Sequence, residues 1–389
     1  MKRILFVALS LKAGGIEKAL VNQINDLANQ EQYKVDLVVF SNTGEYVNHI
    51  DKKVNVYEPN YVLSCLAKTF IESKKNIFCF LIRCLFLVLV KIFTNKIVYS
   101  FLFKCLKKIG VYDVAISYFQ DSGSRNLRYG CNLYVLSNVI ANKKVTWIHS
   151  DYLYQNLNYK SNNEICSQFD YVINVSETMK KKFDSLDIID EQKSLFIYNR
   201  IDIENIKLIS LKESYFNSSF FNIVTVGRIE PLKSSMKLCE IAKDLILKGY
   251  NIKWYFIGTG VQLNDCQNFA NNNKLSDRIV FLGQKEFPYY YMKDADLFVS
   301  GSLTETFGLS IVESLVLNVP VVAYYYDAIG EVLNCNNGIV ASDFDELKAK
   351  IEKMIVDKKF YIHIKDKTRL LSDYNFLNRM QVYKLIEGC

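Results

Sequence analysis

Two glutamates eight positions apart are the residues whose types and spacing most clearly suggest chemistry. Glu305 follows an apolar run at 297–301 that predicts a strand, and Glu313 falls within 310–317, which predicts a helix. An ionised carboxylate only accepts hydrogen bonds, so the pair could hold hydroxyl groups. At helical rise the two residues would lie roughly 12 Å apart, with Glu313 about two turns into the helix. We therefore expect them to hold hydroxyls at two ends of one ligand.

The residues between the two glutamates open the predicted helix. The free N–H groups at a helix start suit a partly negative, oxygen-rich ligand, and glycine lets such a ligand approach the backbone closely. Taken alone, the glutamates could equally be a helix cap and a solvated side chain. The residues that we expect to contribute to binding here are Thr306, Phe307, Gly308 and Leu309.

Two cations follow the predicted strand at 222–228. Arg228 and Lys233 flank a turn and could converge on a diphosphate. Arg228 would bind it through bidentate hydrogen bonds, and Lys233 would act as a point charge. The alternative is that Arg228 pairs with a surface carboxylate and Lys233 points into water. The motif context below favours the diphosphate.

A glycine pair separates the first predicted strand, 3–10, from the first predicted helix, 17–30. Gly14 and Gly15 could present a helix N-terminus to an anion, although the spacing matches neither G-x-G-x-x-G nor a P-loop. Turns also use glycine for steric reasons alone. The pair is therefore a weaker indication of a phosphate site than the two cations.

Polar residues follow the predicted strand at 145–149, and one metal-like pattern occurs later. His149 and Asp151 should lie at the strand's carboxyl end, where ligands bind in such folds. Asp294 and Asp296 match a D-x-D metal pattern. Because they precede a strand and no other candidate ligands cluster near them, we interpret them as structural and expect no metal site.

The run from Glu305 to Glu313 resembles the E-x7-E signature of retaining glycosyltransferases of family 4, which have the GT-B fold. The resemblance continues through Val319-Pro320-Val321-Val322-Ala323 and through Gly330-Glu331-Val332-Leu333 to Asn337-Gly338. Two departures are Asn318 and Arg200, which stand where the family usually has Gly. The resemblance is specific over residues 226–338 and looser before residue 145.

The resemblance implies a role for each candidate residue. Glu305 would bind hydroxyls of the donor sugar, Glu313 would bind the ribose, and Arg228 with Lys233 would stabilise the departing diphosphate. Gly14 and Gly15 would face the donor phosphate, His149 would contact the transferred sugar, and Asp151 would serve the acceptor. The implied reaction needs no metal and retains configuration through front-face attack assisted by the leaving phosphate.

Length and periodicity predict an α/β chain with two doubly wound domains facing a cleft. The 389 residues are too many for one ordinary domain, and apolar runs alternate with helical patterns at both ends of the chain. We expect domains at 1–205 and 206–370. From the resemblance, we expect the helix at 371–389 to return to the first domain.

The basic residues concentrate in the most apolar part of the chain. Nine basic residues and one acidic residue lie between Tyr61 and Lys108, while the whole chain carries +7. The rest is therefore close to neutral, which argues against a nucleic-acid partner. Basic residues interrupt the apolar run 77–103, so we expect it not to span a membrane. It either packs on the first domain with its lysines reaching water, or lies on an anionic bilayer, which the charge favours.

The resemblance implies an enzyme of bacterial surface polysaccharide synthesis, and the apolar, basic run leads us to expect it on the cytoplasmic face of the inner membrane. The expected donor is a nucleotide-diphosphate-sugar, with a UDP-sugar favoured, and the expected acceptor is lipid-linked or an oligosaccharide. We expect no cofactor, and the ten scattered cysteines indicate a reducing compartment. The alternatives are a nucleotide-sugar epimerase of the same fold and a non-catalytic, membrane-bound partner of another transferase.

Overall fold

The computed structural model describes residues 1–12, 14–121, 126–127, 129–211, 215–216, 218–369 and 374–388. The chain forms two compact units, of which the first comprises Met1–Arg200 with Asn375–Cys389 and the second Ile201–Tyr374. Each unit contains one parallel sheet with helices between its strands. The predicted α/β class with two parallel-sheet domains is confirmed.

The first unit has seven strands in the order β3-β2-β1-β4-β5-β6-β7, all parallel to their neighbours. The strands are β1 (Lys2–Ser10), β2 (Tyr33–Ser41), β3 (Asn55–Tyr57), β4 (Ile109–Ser117), β5 (Val139–Ile148), β6 (Tyr171–Asn174) and β7 (Ser194–Phe196). The helices are α1 (Gly15–Ala28), α2 (Tyr61–Ala67), α3 (Phe70–Ser73), α4 (Ile77–Lys104), α5 (Cys131–Asn138), α6 (Lys160–Cys166) and α7 (Glu177–Asp184). The chain order reverses between β1 and β4, where folds of this class bind ligands.

The second unit has six parallel strands in the order β10-β9-β8-β11-β12-β13. The strands are β8 (Phe221–Val226), β9 (Ile252–Ile257), β10 (Ile279–Gly283), β11 (Leu297–Ser300), β12 (Val321–Tyr324) and β13 (Ile339–Ala341). The helices are α8 (Ile203–Ser210), α9 (Ser235–Leu247), α10 (Leu263–Asn272), α11 (Tyr289–Met292), α12 (Leu309–Val316), α13 (Phe344–Val356) and α14 (Lys358–Lys367). The chain order here reverses between β8 and β11.

The strands are buried because helices cover the sheet, which explains their nearly continuous apolar sequences. In β1, every residue from Ile4 to Ser10 is buried. In the second unit Trp254 and Phe256 of β9 lie in the core, with their rings 5.9 Å apart and nearly parallel. The core therefore fixes the strands firmly, and the loops at their carboxyl ends start from rigid positions.

The last helix, α15 (Tyr374–Glu387), belongs almost entirely to the first unit. Asn378 donates hydrogen bonds to Gln23 (3.1 Å) of α1 and to the carbonyl of Tyr198 (2.6 Å). Residues 371–373 and 389 of the predicted helix at 371–389 lie outside the described residues. The units divide at residues 200/201 and 374/375, a few residues from the predicted 205/206 and 370/371.

A carboxylate on α1 holds the first unit together where the chain leaves it. Asp26 accepts hydrogen bonds from Arg200 (2.7 Å) and from Arg379 (2.6 Å). Arg200 also donates to the carbonyl of Asn375 at 3.1 Å. This explains Arg200, one of the two departures from the family pattern, because its side chain ties together the two points at which the chain passes between units.

The apolar, basic run forms helix α4, interrupted at Thr94, whose φ of 67° lies outside the helical range. By length and composition this helix could cross a membrane. Arg83, which we counted among the charges that interrupt the run, is buried and donates to the carbonyl of Leu66 at 2.6 Å. Arg83 therefore belongs to the protein interior, and its charge is not part of the exposed basic surface of this segment.

Asp121, in the loop after β4, makes the stability of the first unit depend on pH. Its Oδ1 accepts a hydrogen bond from Gly130 N at 2.6 Å, just before α5. Burial raises the pKa of Asp121 to about 7. A carboxyl whose pKa is higher in the folded protein stabilises it most below its unfolded pKa, and this contribution is lost as pH rises through the folded pKa.

We expect Asp121→Asn to flatten this dependence, because the amide keeps an oxygen acceptor for Gly130 but does not ionise. The free energy of unfolding of the parent should fall between about pH 4 and about pH 7 relative to that of the variant, and the difference should level off above this range. Urea unfolding at several pH values measures both curves. Parallel curves would show that Asp121 does not titrate in this range.

Candidate functional site

The candidate donor site of the second unit lies at the carboxyl ends of β8 and β11, where the strand order reverses. The loop after β8 carries Arg228 and Lys233, and the loop after β11 carries Glu305. Leu303 N donates to the carbonyl of Leu232 at 2.9 Å, which joins the two loops. The structure thus brings together residues that the sequence placed in two separate motifs.

Two glycines after β9 support the backbone of the Arg228 loop. Gly227 N donates to Ile257 O (3.0 Å) and Ile229 N donates to Thr259 O (2.9 Å). Gly258 has φ of 148°, and a Cβ there would collide with the carbonyl of Gly227. A Cβ at Gly260 would likewise collide with the backbone of Ile229. The two loops therefore pack backbone against backbone, which requires glycine.

Lys233 and Glu305 form an ion pair with each other. Ser302 Oγ donates to the same carboxylate oxygen, Oε1 of Glu305, at 3.0 Å. Both charged side chains are only about one-fifth exposed, Lys233 at 20% and Glu305 at 22%. A ligand with a diphosphate and a sugar would therefore meet a cation and a carboxylate that are already in contact and partly shielded from water.

Arg228 is the most exposed charged residue of this group. Its guanidinium pairs with Glu230 at 2.9 Å, and its side chain is 72% exposed while that of Glu230 is 15% exposed. Surface pairs of this kind contribute little to stability. Arg228 can therefore turn toward an incoming anion at small cost, and Glu230 is a neighbour that sequence reasoning missed.

Glu313 lies about one turn into α12, because the helix begins at Leu309 and residues 305–308 are not helical. The prediction of two helical turns between Glu305 and Glu313 is therefore wrong. Glu313 is buried, at 4% exposure. Because α12 follows directly after the loop that carries Glu305, the carboxylates of Glu305 and Glu313 still lie in the same part of the second unit.

The backbone at the start of α12 is shaped by a tyrosine that sequence reasoning missed. Gly308 has φ of 89°, and a Cβ there would collide with the hydroxyl of Tyr326. Tyr326 donates to the carbonyl of Phe307 at 3.3 Å, and Phe307 itself is buried. Burial, and then the charge of Glu305, raises the pKa of Tyr326 well above its ordinary value, so its hydroxyl stays protonated. Thr306, Phe307 and Leu309 thus lie where the sequence predicted, on either side of this turn.

In the first unit, Gly14 lies between β1 and α1, as the sequence predicted, and Gly15 is the first residue of α1. A Cβ at Gly14 would collide with the carboxylate of Glu17, one turn along the helix. The N-terminus of α1 is therefore already faced by a carboxylate of the protein. The role of the glycine pair toward a donor phosphate therefore stays a prediction.

His149 follows directly after β5 and is buried against two aromatic rings. Its ring centre lies 4.6 Å from that of Tyr118, and it stacks with Trp147 at 6.2 Å. Burial lowers the pKa of His149 to about 3. The imidazole is therefore neutral near pH 7 and can form hydrogen bonds, but it is not a ready proton donor. Gln120 accepts from His149 N at 2.8 Å and fixes the strand end.

Asp151 is engaged within the fold. Its Oδ1 accepts from Leu153 N (3.1 Å) and Tyr154 N (3.0 Å), and its Oδ2 pairs with Lys182 at 2.7 Å. Although burial opposes ionisation, the Lys182 hydrogen bond and the backbone donors hold the pKa of Asp151 below its ordinary value. The contacts therefore account for Asp151 as the residue that closes a turn, and its role toward an acceptor stays a prediction.

The two aspartates of the D-x-D pattern lie before β11. Asp296 accepts from Asn222 N at 2.7 Å, which ties the start of β11 to β8. Asp294 pairs with Lys293 at 3.4 Å. Both carboxylates thus have structural partners, at the end of the strands opposite the one that carries Arg228 and Glu305.

The sequence of the second unit matches a known family. Residues 210–370 match the family model of glycosyl transferases group 1, which agrees with the resemblance found in the motifs. Over 203 residues the chain is 27% identical to the capsular polysaccharide biosynthesis glycosyltransferase CapM of Staphylococcus aureus, covering 48% of this chain and 52% of CapM. The chain thus spans about half the length of that relative.

Two further proteins are similar over nearly the whole chain. An uncharacterized glycosyltransferase of Haemophilus influenzae is 22% identical, and the alignment covers 99% of this chain and 99% of that protein. The crystal structure of Anabaena Alr3699/HepE in complex with UDP superposes with a TM-score of 0.67 at 18% identity, covering 100% of both chains. HepE was also solved with UDP-glucose. The structural similarity confirms the two-domain GT-B fold.

Proposed function

We propose that this protein is a retaining glycosyltransferase that moves a sugar from a nucleotide-diphosphate-sugar to a lipid-linked glycan during synthesis of a bacterial surface polysaccharide. The observation that carries the proposal is the contact of Lys233 with Glu305, beside Arg228, at the switch point of the second sheet. This group lies within the segment that matches group 1 glycosyl transferases. The UDP bound to HepE supports the donor class, and the similarity to CapM, a glycosyltransferase of capsular polysaccharide biosynthesis, supports a role in the synthesis of a surface polysaccharide.

The residues divide naturally between the two halves of a nucleotide-sugar. Arg228 and Lys233 provide positive charge for the diphosphate, and the N-terminus of α12 adds backbone donors. Glu305 accepts hydrogen bonds from hydroxyls of the sugar, and Glu313 from those of the ribose. On donor binding, Lys233 leaves Glu305 for a phosphate oxygen, which frees the carboxylate for the sugar.

The proposed reaction proceeds on one face of the sugar. The bond between the anomeric carbon and the β-phosphate oxygen breaks, and the acceptor hydroxyl oxygen bonds to that carbon from the same face. The hydroxyl proton passes to the departing phosphate oxygen, and the cations stabilise its charge. His149 is neutral near pH 7 because burial lowers its pKa, so any part it takes in the reaction is as a hydrogen-bonding group and not as a proton donor.

Mass spectrometry of products formed from a panel of nucleotide-sugars with a bacterial lipid extract tests this function. We expect the sugar of one donor to appear on a lipid-linked glycan, with release of the nucleoside diphosphate. An epimerised nucleotide-sugar, formed without acceptor, would show an epimerase instead. Unchanged donor with every acceptor fraction would favour a non-catalytic partner.

We expect transfer to continue in excess chelator, because Arg228 and Lys233 supply the charge that a metal supplies in other glycosyltransferases. The product linkage, read by NMR, should keep the anomeric configuration of the donor. Loss of activity in chelator with recovery on adding manganese or magnesium would contradict the first expectation. An inverted linkage would contradict the second.

A further inference from the structure

Helix α4 is apolar on all sides but buries only one of them. Before its interruption at Thr94, the buried residues are Cys79, Arg83 and Val90. At about 100° per residue these lie on one side of the helix. Six of the seven large apolar residues that are more than half exposed here form a stripe roughly 100° wide on the opposite side, and Phe93 lies outside that stripe. That stripe consists of Ile77, Phe78, Leu81, Leu85, Val88 and Ile92, which are all more than half exposed.

The part of α4 after Thr94 repeats this arrangement. Its buried side contains Val98, Tyr99 and Phe103, and its exposed apolar residues, Ile97 and Phe101, lie on the far side. The interruption at Thr94 changes the course of the helix, yet both parts bury one face and present apolar side chains on the other. Both parts of the helix therefore present an exposed apolar face.

The buried face is fixed to the first unit by specific contacts. Arg83 donates to the carbonyl of Leu66 at the end of α2, and the hydroxyl of Tyr99 donates to the carbonyl of Leu127 at 2.6 Å. The ring of Phe103 packs edge to face against that of Tyr134 in α5 at 5.4 Å. To cross a bilayer, α4 would have to leave these contacts and carry the Arg83 guanidinium into hydrocarbon, which is costly.

Lysines surround the exposed stripe. Lys74 and Lys75 precede α4, Lys91 lies within it, and three more lysines lie at its end. All six residues are exposed. The group at the end consists of Lys104, Lys107 and Lys108. An apolar stripe flanked by ammonium groups matches the headgroup and acyl layers of an anionic membrane.

We propose that the exposed face of α4 inserts into one leaflet of an anionic lipid bilayer, with the helix in the membrane plane and its buried face still on the protein. The protein is thereby held at the membrane surface without spanning it. A second copy of the chain fits this face poorly, because pairing two such faces would bring lysines of both copies together. The proposal goes beyond the transfer reaction and does not depend on it.

Flotation of the full-length protein with lipid vesicles tests the proposal. We compare Leu81→Asp/Leu85→Asp/Val88→Asp with a matched control, Leu247→Asp/Val261→Asp/Val356→Asp, in which the same residue types are replaced at positions that are more exposed and lie in the second unit. The α4 variant should bind vesicles containing phosphatidylglycerol more than about a hundredfold more weakly, because three apolar side chains no longer enter the acyl layer. The control should bind like the parent.

The lysines give an independent measurement. Changing Lys74, Lys75, Lys104, Lys107 and Lys108 to Gln should weaken binding to anionic vesicles at least about tenfold. Raised salt should also weaken vesicle binding by the parent protein, without abolishing it. Alkaline carbonate should extract the bound parent protein from the vesicles, because carbonate removes proteins that lie on a bilayer without spanning it.

Three results would overturn the proposal. The first is equal vesicle binding by the α4 variant and its control. The second is resistance of the parent to carbonate extraction, which would indicate a spanning helix. The third is a parent dimer in gel filtration that the α4 substitutions dissociate while vesicle binding is unchanged, which would assign the face to a second copy.

Discussion

Lys233→Ala and Glu305→Ala should each reduce kcat/KM for the nucleotide-sugar by roughly 10- to 150-fold, which corresponds to about 1.5–3 kcal/mol for a lost charge-assisted hydrogen bond. The two side chains contact each other in the ligand-free protein, and each has a separate partner on the proposed donor. Removing Lys233 leaves the diphosphate without its nearest cation, and removing Glu305 leaves the sugar hydroxyls without their acceptor.

A double-mutant cycle separates the ligand contacts from the ion pair itself. If the pair acted only on stability, the single and double variants would unfold at lower denaturant concentration but bind the nucleotide-sugar like the parent. Lys237→Ala is the matched control, because Lys237 also pairs with a glutamate, Glu240 at 3.1 Å, on an exposed surface of the same unit. Activity within about twofold of the parent in both Lys233→Ala and Glu305→Ala would remove these residues from the donor site.

Gly258→Ala should damage UDP binding without touching the ligand. A Cβ at Gly258 would collide with the carbonyl of Gly227, so the loop that carries Arg228 has to move. Gly249→Ala is the control, because Gly249 also has a positive φ, 92°, but a Cβ there meets nothing within 4 Å. Both variants therefore strain the backbone, and only Gly258→Ala also adds a steric clash.

The free energy of unfolding of Gly258→Ala should fall below that of Gly249→Ala by about 1–3 kcal/mol, the usual cost of forcing an extra methyl group into a packed position. UDP affinity, measured by calorimetry, should fall in Gly258→Ala and stay near the parent value in Gly249→Ala. If both variants bind UDP equally, the Arg228 loop does not need the backbone packing seen here.

The strands that position the site could be predicted because their sequences are nearly all apolar and end at polar loops. The strand predicted at 222–228 corresponds to β8 and that at 297–301 to β11, with ends differing by one or two residues. The strands β3, β7 and β13 were missed, because each has only three residues and lies at a sheet edge. Such short edge strands carry too few side chains to show a period.

The partners inside the site could not be predicted, because they come from distant parts of the chain. Lys233 and Glu305 are 72 positions apart, and only the order of strands β8 and β11 brings them together. The glycines after β9 are visible in the sequence as a Gly-x-Gly pattern, Gly258-Thr259-Gly260, but this pattern does not identify the loop that they support. Asn318 has φ of 56°, so it takes the left-handed conformation in which Asn can replace Gly at a helix end.

A crystal structure with UDP tests the central claim most directly, since the claim is that the donor binds at the carboxyl ends of β8 and β11. The account predicts a diphosphate within hydrogen-bond distance of Arg228 and Lys233, a ribose hydroxyl on Glu313, and a Lys233 side chain that has left Glu305. UDP bound at another place in the chain, or bound here with the Lys233–Glu305 pair intact and neither cation on a phosphate, would contradict it.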